Sequence, residues 1–440
     1  MRKVLLLIII NLLGLAVNIN GQSYPESLED FNEGQFFFNR GEYQDAVFFY
    51  LKLVNYDSLN ANFNFKVGEC YLNIPGKEHL AIPYFERSLK NIVPKKKYNK
   101  RDFNERNAPL HAYFYLGNAY RMAGQLNKAL DCYSKFLDSP YFWGNYNQDI
   151  VEQEIKSCER AKIIQDAPLE IEKVNLGPNI NTGFTEDLPV ISGDGNTLVF
   201  MRKLKFYDAV FYSTKTTDGW KEAININPQI LSDGEFYPTG LSSDGRQLLL
   251  IKKEDESREI YISYLQGDTW TKAVPLGNKI NSNSNASFAS FGPDCKSIYL
   301  SSDHSGSKNG YDIFVSYLSS KGEWGRPKNI GKPINTDFDE QNPIICNKGQ
   351  VLFFCSKGHY NMGGYDIFYS NFVNGIWSLP VNIGYPINDT RDNFLYYPTE
   401  ECKSGYIDLN DSTGYGLSDI YYIKIKSNSV LNFQKDLDDK

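Results

Sequence analysis

An acidic residue ahead of a β-type run recurs through the second half of this 440-residue chain, and its spacing constrains the fold more than any other feature. It occupies five positions separated by 51 to 54 residues: Asp208, Glu259, Asp312, Asp366 and Asp419. Tryptophans recur with nearly the same period, at Trp220, Trp270, Trp324 and Trp377. A fixed period of about 50 residues indicates that one supersecondary unit is repeated.

Each unit contains four short runs of β-branched and aromatic residues separated by turn residues. Asp194-Gly195 and Asp244-Gly245 are turn sequences 50 residues apart, and glycine supplies the positive φ that a tight hairpin needs. Asp294-Cys295 and Lys348-Gly349 keep this register. Four strands in about 50 residues is the size of a propeller blade, so a five-bladed β-propeller is predicted over residues 169–426.

The last predicted blade has no Trp strand of its own, and a segment ahead of the first blade matches the missing piece. Residues 171–176 are followed by Gly-Pro-Asn-Ile-Asn, which is similar to the sequence after each Trp strand, as at 276–281. We therefore predict that residues 170–175 pair with 420–425. Such pairing would join the first blade to the last and cover an open edge.

Several of these segments carry a family resemblance. Tyr-Asp-Ile-Phe at 311–314 and 365–368, with Ser-Asp-Ile-Tyr at 418–421, resembles the WD40-like propeller repeat common in bacterial envelope proteins. The Gly-rich segments at 307–310 and 361–364 fit the same repeat, as do the Ile-Gly-x-Pro-Ile-Asn segments at 330–335 and 383–388.

The first half of the chain has a different, helical period. Gly34 and Gly68 are 34 residues apart, and Gly117 follows after one further period plus an insertion of 15 residues. Aromatic residues and alanines recur at matching offsets after each glycine, as in paired helices that approach closely. The pattern resembles tetratricopeptide (TPR) repeats over roughly 28–140, with a closing helix over 147–166. The expected fold is thus a TPR α-solenoid followed by an all-β propeller.

The TPR resemblance implies a concave surface that binds a partner peptide. The candidate residues are Phe31, Gln35, Phe38, Phe65, Glu69, Phe114, Asn118 and Arg121. Only Asn118 and Arg121 suit a clamp for a C-terminal carboxylate, and Glu69 would repel one. The expected surface is therefore an apolar, aromatic groove, which either binds a partner segment or is covered by the chain's own second domain.

A basic insertion separates the second and third helical repeats. It contains Lys95, Lys96 and Lys97, followed by Lys100, Arg101 and Arg106. A run of this kind is typical of a solvated loop. The alternative is contact with an acidic partner or with anionic lipid headgroups.

The N-terminus reads as an export signal. Arg2 and Lys3 precede an apolar run over residues 4–17, which is shorter than the ~20 residues that a membrane-spanning helix needs. Cleavage is predicted after Gly21. The predicted organisation is a signal peptide at 1–21, a TPR-like domain at 22–168, the propeller at 169–426 and a tail at 427–440. No later stretch could span a membrane, so the expected location is the periplasm, with outer-membrane association left open.

Composition and cysteine usage limit the remaining classes. With 41% hydrophobic residues the chain can build cores, and a net charge of −7 argues against nucleic acid as a partner. The seven cysteines would allow disulfides in an exported protein, but their number is odd. Cys70, Cys132 and Cys158 lie at apolar helical positions, which favours buried free thiols.

Catalytic chemistry is not predicted. The repeated acids follow the blade period, whereas a catalytic acid should break it. His304 and His359 with Asp303 could suggest a metal site, but no third soft ligand is evident. We therefore expect no catalytic residue, no metal and no cofactor.

The order of signal, TPR repeats and propeller is similar to that of periplasmic TPR–propeller proteins, some of which accompany type IX secretion and gliding machinery. An OmpA-type peptidoglycan-binding domain usually follows the propeller in that family, and about 14 residues follow it here, so a member without that domain is expected. The expected function is a non-enzymatic scaffold that binds envelope proteins through the TPR groove and the propeller face. The alternatives are an exported propeller glycosidase or carbohydrate-binding protein, and a TolB-like propeller that docks a cell-wall lipoprotein.

Overall fold

A computed structural model describes residues 24–254, 257–281, 285–303, 307 and 310–426. The predicted signal peptide, His304 and the predicted tail lie outside these residues. The chain divides into two compact units, one ending at Ile155 and the other beginning at Lys156. The predicted domain boundaries remain predictions.

The first unit consists of paired helices, as the TPR period predicts. The helices are α1 (Tyr24–Asn39), α2 (Tyr43–Tyr56), α3 (Ala61–Leu72), α4 (Ile82–Ser88), α5 (Ala112–Met122), α6 (Leu126–Leu137) and α7 (Gln148–Gln165), the last of which contains the unit boundary. A 3₁₀ turn, Glu78–Ala81, precedes α4. Two short parallel strands, β1 (Ile92–Val93) and β2 (Ala108–Pro109), lie in the insertion.

Close packing within each pair depends on the repeated glycine. A Cβ built on Gly34 would lie 2.6 Å from a ring carbon of Tyr50, and one on Gly68 would lie 2.7 Å from the Phe85 ring. Gly117 stands in the same relation to Tyr133. Real Cβ contacts are longer than this, so only glycine lets the aromatic ring pack directly on the backbone of the partner helix.

The second unit is a five-bladed propeller. Blade 1 contains β4 (Thr185–Ile191), β5 (Thr197–Lys203), β6 (Asp208–Thr216), β7 (Gly219–Trp220) and β8 (Ile224–Asn225), and blade 2 contains β9 (Phe236–Leu241), β10 (Gln247–Lys253), β11 (Arg258–Gln266), β12 (Thr269–Trp270) and β13 (Val274–Pro275). Blade 3 contains β14 (Ala286–Phe291), β15 (Ser297–Ser302), β16 (Asp312–Tyr317) and β17 (Lys328–Asn329), and blade 4 contains β18 (Glu340–Cys346), β19 (Val351–Ser356), β20 (Asp366–Val373), β21 (Ile376–Trp377) and β22 (Val381–Asn382). Blade 5 contains β23 (Tyr397–Pro398), β24 (Ser404–Leu409) and β25 (Asp419–Ile425). A short helix, α8 (Asn227–Ile230), follows the first blade.

The first strand of each blade lies innermost, because the first strands of neighbouring blades contact one another around the ring. The expected fourth, Trp-bearing strand is divided into two short pieces in blades 1, 2 and 4. In blade 3, Trp324 forms only an isolated bridge with Leu318. Gly195 and Gly245 adopt positive φ in their turns, as predicted, and Cys295 does so at the same place in blade 3.

The predicted ring closure is confirmed. Strand β3 (Ile171–Asn175) pairs antiparallel with β25, from Ile171 opposite Ile425 to Asn175 opposite Tyr421. The following residues complete the match, because Asn181 accepts a hydrogen bond from the Ile420 N–H at 2.8 Å and donates one to its carbonyl at 2.9 Å. We call residues 171–181 the closing segment.

Candidate functional sites

The candidate groove residues of the helical unit do not share one accessible surface. Phe31 and Phe65 are each about 1% exposed and belong to the interior. Arg121 is 4% exposed and pairs with Glu154 at 2.9 Å. These three side chains pack inside the helical unit, and a contact between them and a partner remains only a prediction.

The other candidates are partly exposed but have internal partners. Phe38 packs edge-on against Tyr43, and Phe114 lies beside Tyr133. The Tyr133 hydroxyl donates a hydrogen bond to the side chain of Asn118 at 2.8 Å. Gln35 and Glu69 are half-buried below the insertion. The role of these five candidates in partner binding remains a proposal.

The groove formed by α1 and α3 is filled by the chain's own insertion, defined here as residues 89–110. The Phe103 ring lies 5.7 Å from the Phe31 ring and 5.9 Å from the Phe63 ring. Only 8% of Phe103 is exposed. An aromatic side chain thus occupies the place at which the sequence predicted a partner segment.

Polar contacts hold the insertion along this groove. Gln35 donates a hydrogen bond to the Lys100 carbonyl at 2.6 Å, and the Ala61 N–H donates one to the Arg106 carbonyl at 3.1 Å. The Tyr98 hydroxyl donates to Asn62 at 2.7 Å. These side chains and the first turn of α3 therefore bind the backbone of the insertion, which belongs to the same chain.

Burial under the insertion perturbs two charged groups. It raises the pKa of Glu69 to about 7, although Lys66 opposes this, and it lowers the pKa of Lys66. The Lys66 ammonium lies 5.3 Å from the centre of the Phe31 ring and 5.4 Å from that of Tyr50. The groove is therefore aromatic, as predicted, with a buried charged pair that the sequence pattern did not indicate.

Lys95, Lys96 and Lys97 form a short 3₁₀ turn and are exposed. The Lys95 ammonium lies 5.4 Å from the centre of the Tyr146 ring. The three lysines are thus accessible to a partner, unlike the aromatic residues that anchor the insertion.

In the propeller, the repeated acids support the backbone. Asp366 accepts hydrogen bonds from the N–H groups of Met362 and Gly363 and from the side chain of Asn382. Asp419 likewise accepts hydrogen bonds from backbone N–H groups of the loop before it and from the side chain of Asn175 in the closing segment. Asp366 and Asp419 thus each hold a loop and the outer strand together, a structural role that agrees with their place in the repeat.

A second group of acids, which includes the repeated acid Asp208, lies where blades 5, 1 and 2 meet, at the end of the ring at which first strands begin and second strands end. We call this end the mouth. Asp187 begins the innermost strand of blade 1, and its Oδ2 lies 2.7 Å from the ammonium of Lys203. Asp208 pairs with Lys203 in the strand ladder, and Asp408 lies near the end of β24. These four residues are the mouth cluster.

The mouth cluster has strongly perturbed ionisation. Burial, with a contribution from Asp187, raises the pKa of Asp408 to about 7, and burial also raises the pKa of Asp187. Burial alone would lower the pKa of Lys203, but the ion pair with Asp187 and the nearby charges of Asp208 and Asp408 together raise that pKa. Asp187 and Asp408 do not belong to the repeated acids, so the blade period could not reveal them.

His359 is half-buried, and its Nε2 lies 2.8 Å from the Ile334 carbonyl. Burial lowers its pKa, which favours the neutral imidazole. Within the residues that the structure describes, no group of three or more histidine, cysteine or acidic side chains could hold a metal ion.

A disulfide joins Cys346, at the end of the first strand of blade 4, to Cys402 in the hairpin of blade 5. The odd number of cysteines gave no indication of this disulfide. A signal was present, because hairpins of adjacent blades touch, as in the 2.9 Å hydrogen bond from Asn347 N–H to the Glu400 carbonyl. Cys70, Cys132 and Cys158 are buried and form no disulfide, as predicted.

Comparison with known proteins supports the architecture. A tetratricopeptide-repeat family model matches residues 111–140. No curated protein matches the sequence. The family match and the sheet topology together show that the chain combines TPR repeats with a β-propeller, an architecture suited to protein interaction.

Several solved propellers share weak structural similarity with this chain. TolB from Acinetobacter baumannii is 15% identical, with 65% of this chain and 72% of that chain covered, at a TM-score of 0.36. The α-L-arabinofuranosidase PaAbf62A from Podospora anserina is 11% identical, with 60% and 99% covered, at a TM-score of 0.37. Similarities of this size to both a TolB and a glycosidase support no inference about function.

None of the helices in the described part of the chain is both long and apolar enough to cross a membrane.

Proposed function

We propose that this protein is an exported, non-enzymatic scaffold of the cell envelope that binds other envelope proteins as an accessory of outer-membrane or type IX secretion machinery. The observation that carries the proposal is that the repeated residues make structural contacts. The recurring glycines of the helical unit and the recurring asparagines and acids of the propeller are engaged in holding the scaffold together. Repeat architectures of this kind present extended surfaces to partners.

The Cys346–Cys402 disulfide supports export, because structural disulfides persist in oxidising compartments and are rare in reducing ones. The predicted signal peptide at 1–21 agrees with this but lies outside the described residues. We propose a periplasmic location on these two grounds.

The accessible candidates for partner binding are the exposed lysines of the insertion and the mouth end of the propeller. Since residues 98–106 occupy the groove of α1 and α3, a partner would contact the outer side of the insertion. Lys95, Lys96 and Lys97 would there meet an acidic partner.

The test is carried out in the native host with a C-terminally tagged chain. We expect the protein in the periplasmic fraction, with about 21 N-terminal residues removed and with the 346–402 pair resistant to maleimide labelling until reduction. In-cell cross-linking should join it to the same envelope proteins in repeated preparations, and replacing Lys95, Lys96 and Lys97 by Ala should reduce one of these products. Retention in the cytoplasm with free thiols at 346 and 402 would contradict the proposal.

A second candidate is an exported propeller glycosidase or carbohydrate-binding protein, which the mouth cluster favours. A carboxyl group with a pKa of about 7, as at Asp408, is suited to donate a proton at neutral pH. Turnover of aryl glycosides or cell-wall glycans that is lost in Asp408→Asn would establish this function in place of the first. Absence of turnover across a broad glycan panel would favour the scaffold.

A further inference from the structure

The insertion consists of a fixed base and a lobe that rests on the groove of α1 and α3. At the base, β1 and β2 pair in parallel, and Ala108, Pro109 and Leu110 are buried. The lobe, defined here as residues 94–107 and described throughout, buries only the side chain of Phe103. Segments with so few buried apolar contacts open at low cost, so the lobe can lift while its base stays paired.

The lobe holds its own shape through internal hydrogen bonds. The Glu105 carboxylate accepts hydrogen bonds from the N–H groups of Asn99 at 3.2 Å and Asn107 at 2.9 Å. Asp102 accepts one from the Asn104 N–H at 2.9 Å. Because both acids of the lobe are bonded within it, lifting the lobe from the groove leaves neither of them without its donors.

The helices contact the lobe in ways that another chain could reproduce. The Phe103 ring is the apolar anchor, and the other contacts are largely to main-chain carbonyls. Gln35 donates to the Lys100 carbonyl at 2.6 Å, and Asn60 donates to the Glu105 carbonyl at 3.3 Å. Every peptide presents such carbonyls, so these bonds fix the position of a bound segment without requiring a particular residue.

Opposite charges meet at two places along the groove. The Arg106 guanidinium lies 2.6 Å from the carboxylate of Asp57, just after α2. Burial raises the pKa of Glu69, and Lys66 and Lys100 oppose that rise, Lys66 from within the groove and Lys100 from the lobe. The lobe therefore meets the groove with one base three residues before its aromatic ring and another three residues after it.

We propose that the lobe is an internal ligand of the groove and that it yields this place to a basic segment of a partner protein. The recognised segment carries an aromatic residue, with a lysine or arginine three positions before it and another three positions after it. The ring enters between Phe31 and Phe63, and the two bases meet Glu69 and Asp57. This inference rests on the proposed binding function and identifies the chemistry of one partner contact.

The groove and the outer side of the insertion select opposite charges. An acidic segment in the groove would place like charges beside Asp57 and Glu69, which costs affinity. The exposed lysines at 95–97 favour an acidic partner instead. With the lobe in place a partner meets those lysines, and with the lobe lifted a basic segment meets the groove, so the two contacts can be tested apart.

The probe is the lobe sequence supplied as a separate peptide, with residues 97–107, a fluorophore at its N-terminus and an amidated C-terminus. It retains Tyr98, whose hydroxyl donates to Asn62. Binding to the mature chain is followed by fluorescence anisotropy. In the wild type the tethered lobe competes with the peptide, whereas Phe103→Ala releases the groove. We expect the Phe103→Ala chain to bind the peptide at least about tenfold more tightly than the wild type.

Matched controls separate groove binding from general attraction. Phe48→Ala removes the same ring from an exposed position of α2 and should leave the affinity of the wild type unchanged within about twofold. A peptide that carries Phe103→Ala should bind the opened chain at least about tenfold more weakly. A peptide that carries Lys100→Glu and Arg106→Glu should show a loss of similar size.

Hydrogen exchange of the wild type covers the case in which Phe103→Ala disturbs folding. An excess of unlabelled peptide should accelerate amide exchange over residues 98–106 at least about twofold, because the lobe leaves the groove. The amides of α1 and α3 should stay protected. The peptide with Phe103→Ala should leave exchange unchanged.

Equal affinity of the peptide for the wild type and for Phe103→Ala would mean binding elsewhere and would overturn the proposal. Absence of binding to a Phe103→Ala chain that keeps its helix content, or binding to the wild type without faster exchange of the lobe, would also overturn it. A wild-type dimer that Phe103→Ala abolishes would assign the groove to a second copy in place of a partner. Cross-linking that depends on Lys95, Lys96 and Lys97 would survive each of these results, so the two proposals fail separately.

Discussion

The helical unit and the propeller repeat different kinds of contact. In the helical unit, each repeat packs an aromatic ring on the backbone of a glycine, as Tyr50 does on Gly34 and Phe85 on Gly68. In four of the five blades of the propeller, an asparagine side chain binds both backbone groups of one isoleucine, as Asn335 binds Ile313. In blade 1, Asn227 instead binds the Val210 N–H and the Asp208 carbonyl.

The difference explains how each unit tolerates irregularity. Ring-on-glycine contacts are made within one helix pair, so the insertion can lie on the surface of the repeats without disturbing them. Blade contacts depend on strand register, and the ring must close. The propeller therefore uses a segment from the other end of its sequence, and a disulfide between its last two blades.

The largest expected effect comes from the disulfide, which has no counterpart among the described residues of the helical unit. Replacing Cys346 and Cys402 by Ser should destabilise the propeller by about 3–4 kcal/mol, because the closed loop spans 56 residues. Denaturant unfolding followed by hydrogen exchange should locate the loss in the propeller. Cys295→Ser, at a free thiol, is the control, and an equal loss there would contradict the prediction.

Closing the ring is tested by Asn181→Ala. The substitution leaves the buried N–H and carbonyl of Ile420 without their partner, which should cost about 2–4 kcal/mol. Exchange of the 419–425 amides should accelerate. Asn196→Ala, at an exposed turn position, should change stability by less than about 0.5 kcal/mol. Unchanged exchange in β25 would show that the closing segment is not needed there.

In the helical unit, Phe103→Ala should detach the insertion. Removing this nearly buried ring between Phe31 and Phe63 should cost about 3 kcal/mol. Limited proteolysis should then cut within 94–106 while the helix pairs survive. Phe48→Ala, with 57% exposure, serves as control, and a stable insertion in Phe103→Ala would contradict the described packing.

The pH dependence of stability should differ less between the two units than the effects of the substitutions described above. Asp408 keeps its proton to about pH 7 when folded, whereas an unfolded Asp loses it near 3.9. The folded state thus binds more protons between these values, and stability falls as the pH rises from about 4 to about 7. Asp408→Asn should reduce this fall by about 1–3 kcal/mol. Glu69, with a pKa of about 7, should act likewise in the helical unit, where Glu69→Gln is the corresponding variant. Thermal melts across this pH range provide the measurement, and an unchanged slope in Asp408→Asn would refute its role.

The smallest effect is expected at the basic turn. Changing Lys95, Lys96 and Lys97 to Ala should alter stability by less than about 0.5 kcal/mol per residue, because exposed charges contribute little. Chemical denaturation measures it. A loss as large as that of Phe103→Ala would show that the lysines, rather than the aromatic ring, hold the insertion.

Much of the fold was predictable because its determinants are periodic. The asparagine at 181 stands in the same local sequence as those at 281, 335 and 388, so the closing segment could be recognised as a displaced blade strand. The occupant of the groove was not predictable, for the opposite reason. Nothing near residue 103 indicates that its ring would lie between residues 31 and 63, and the groove residues were assigned without an occupant.

By itself, the sequence determined the two repeat systems, the blade number and the ring closure, since each repeat carries its own turn, strand and pairing residues within about 50 positions. Only the tertiary structure decided that the insertion fills the helical groove, that Cys346 meets Cys402, and that Asp187 and Asp408 share the mouth with Lys203. These contacts join residues distant in sequence, and they follow from burial and packing once the repeats have assembled. No local pattern records them, because their free energy arises only when separate elements exclude water together.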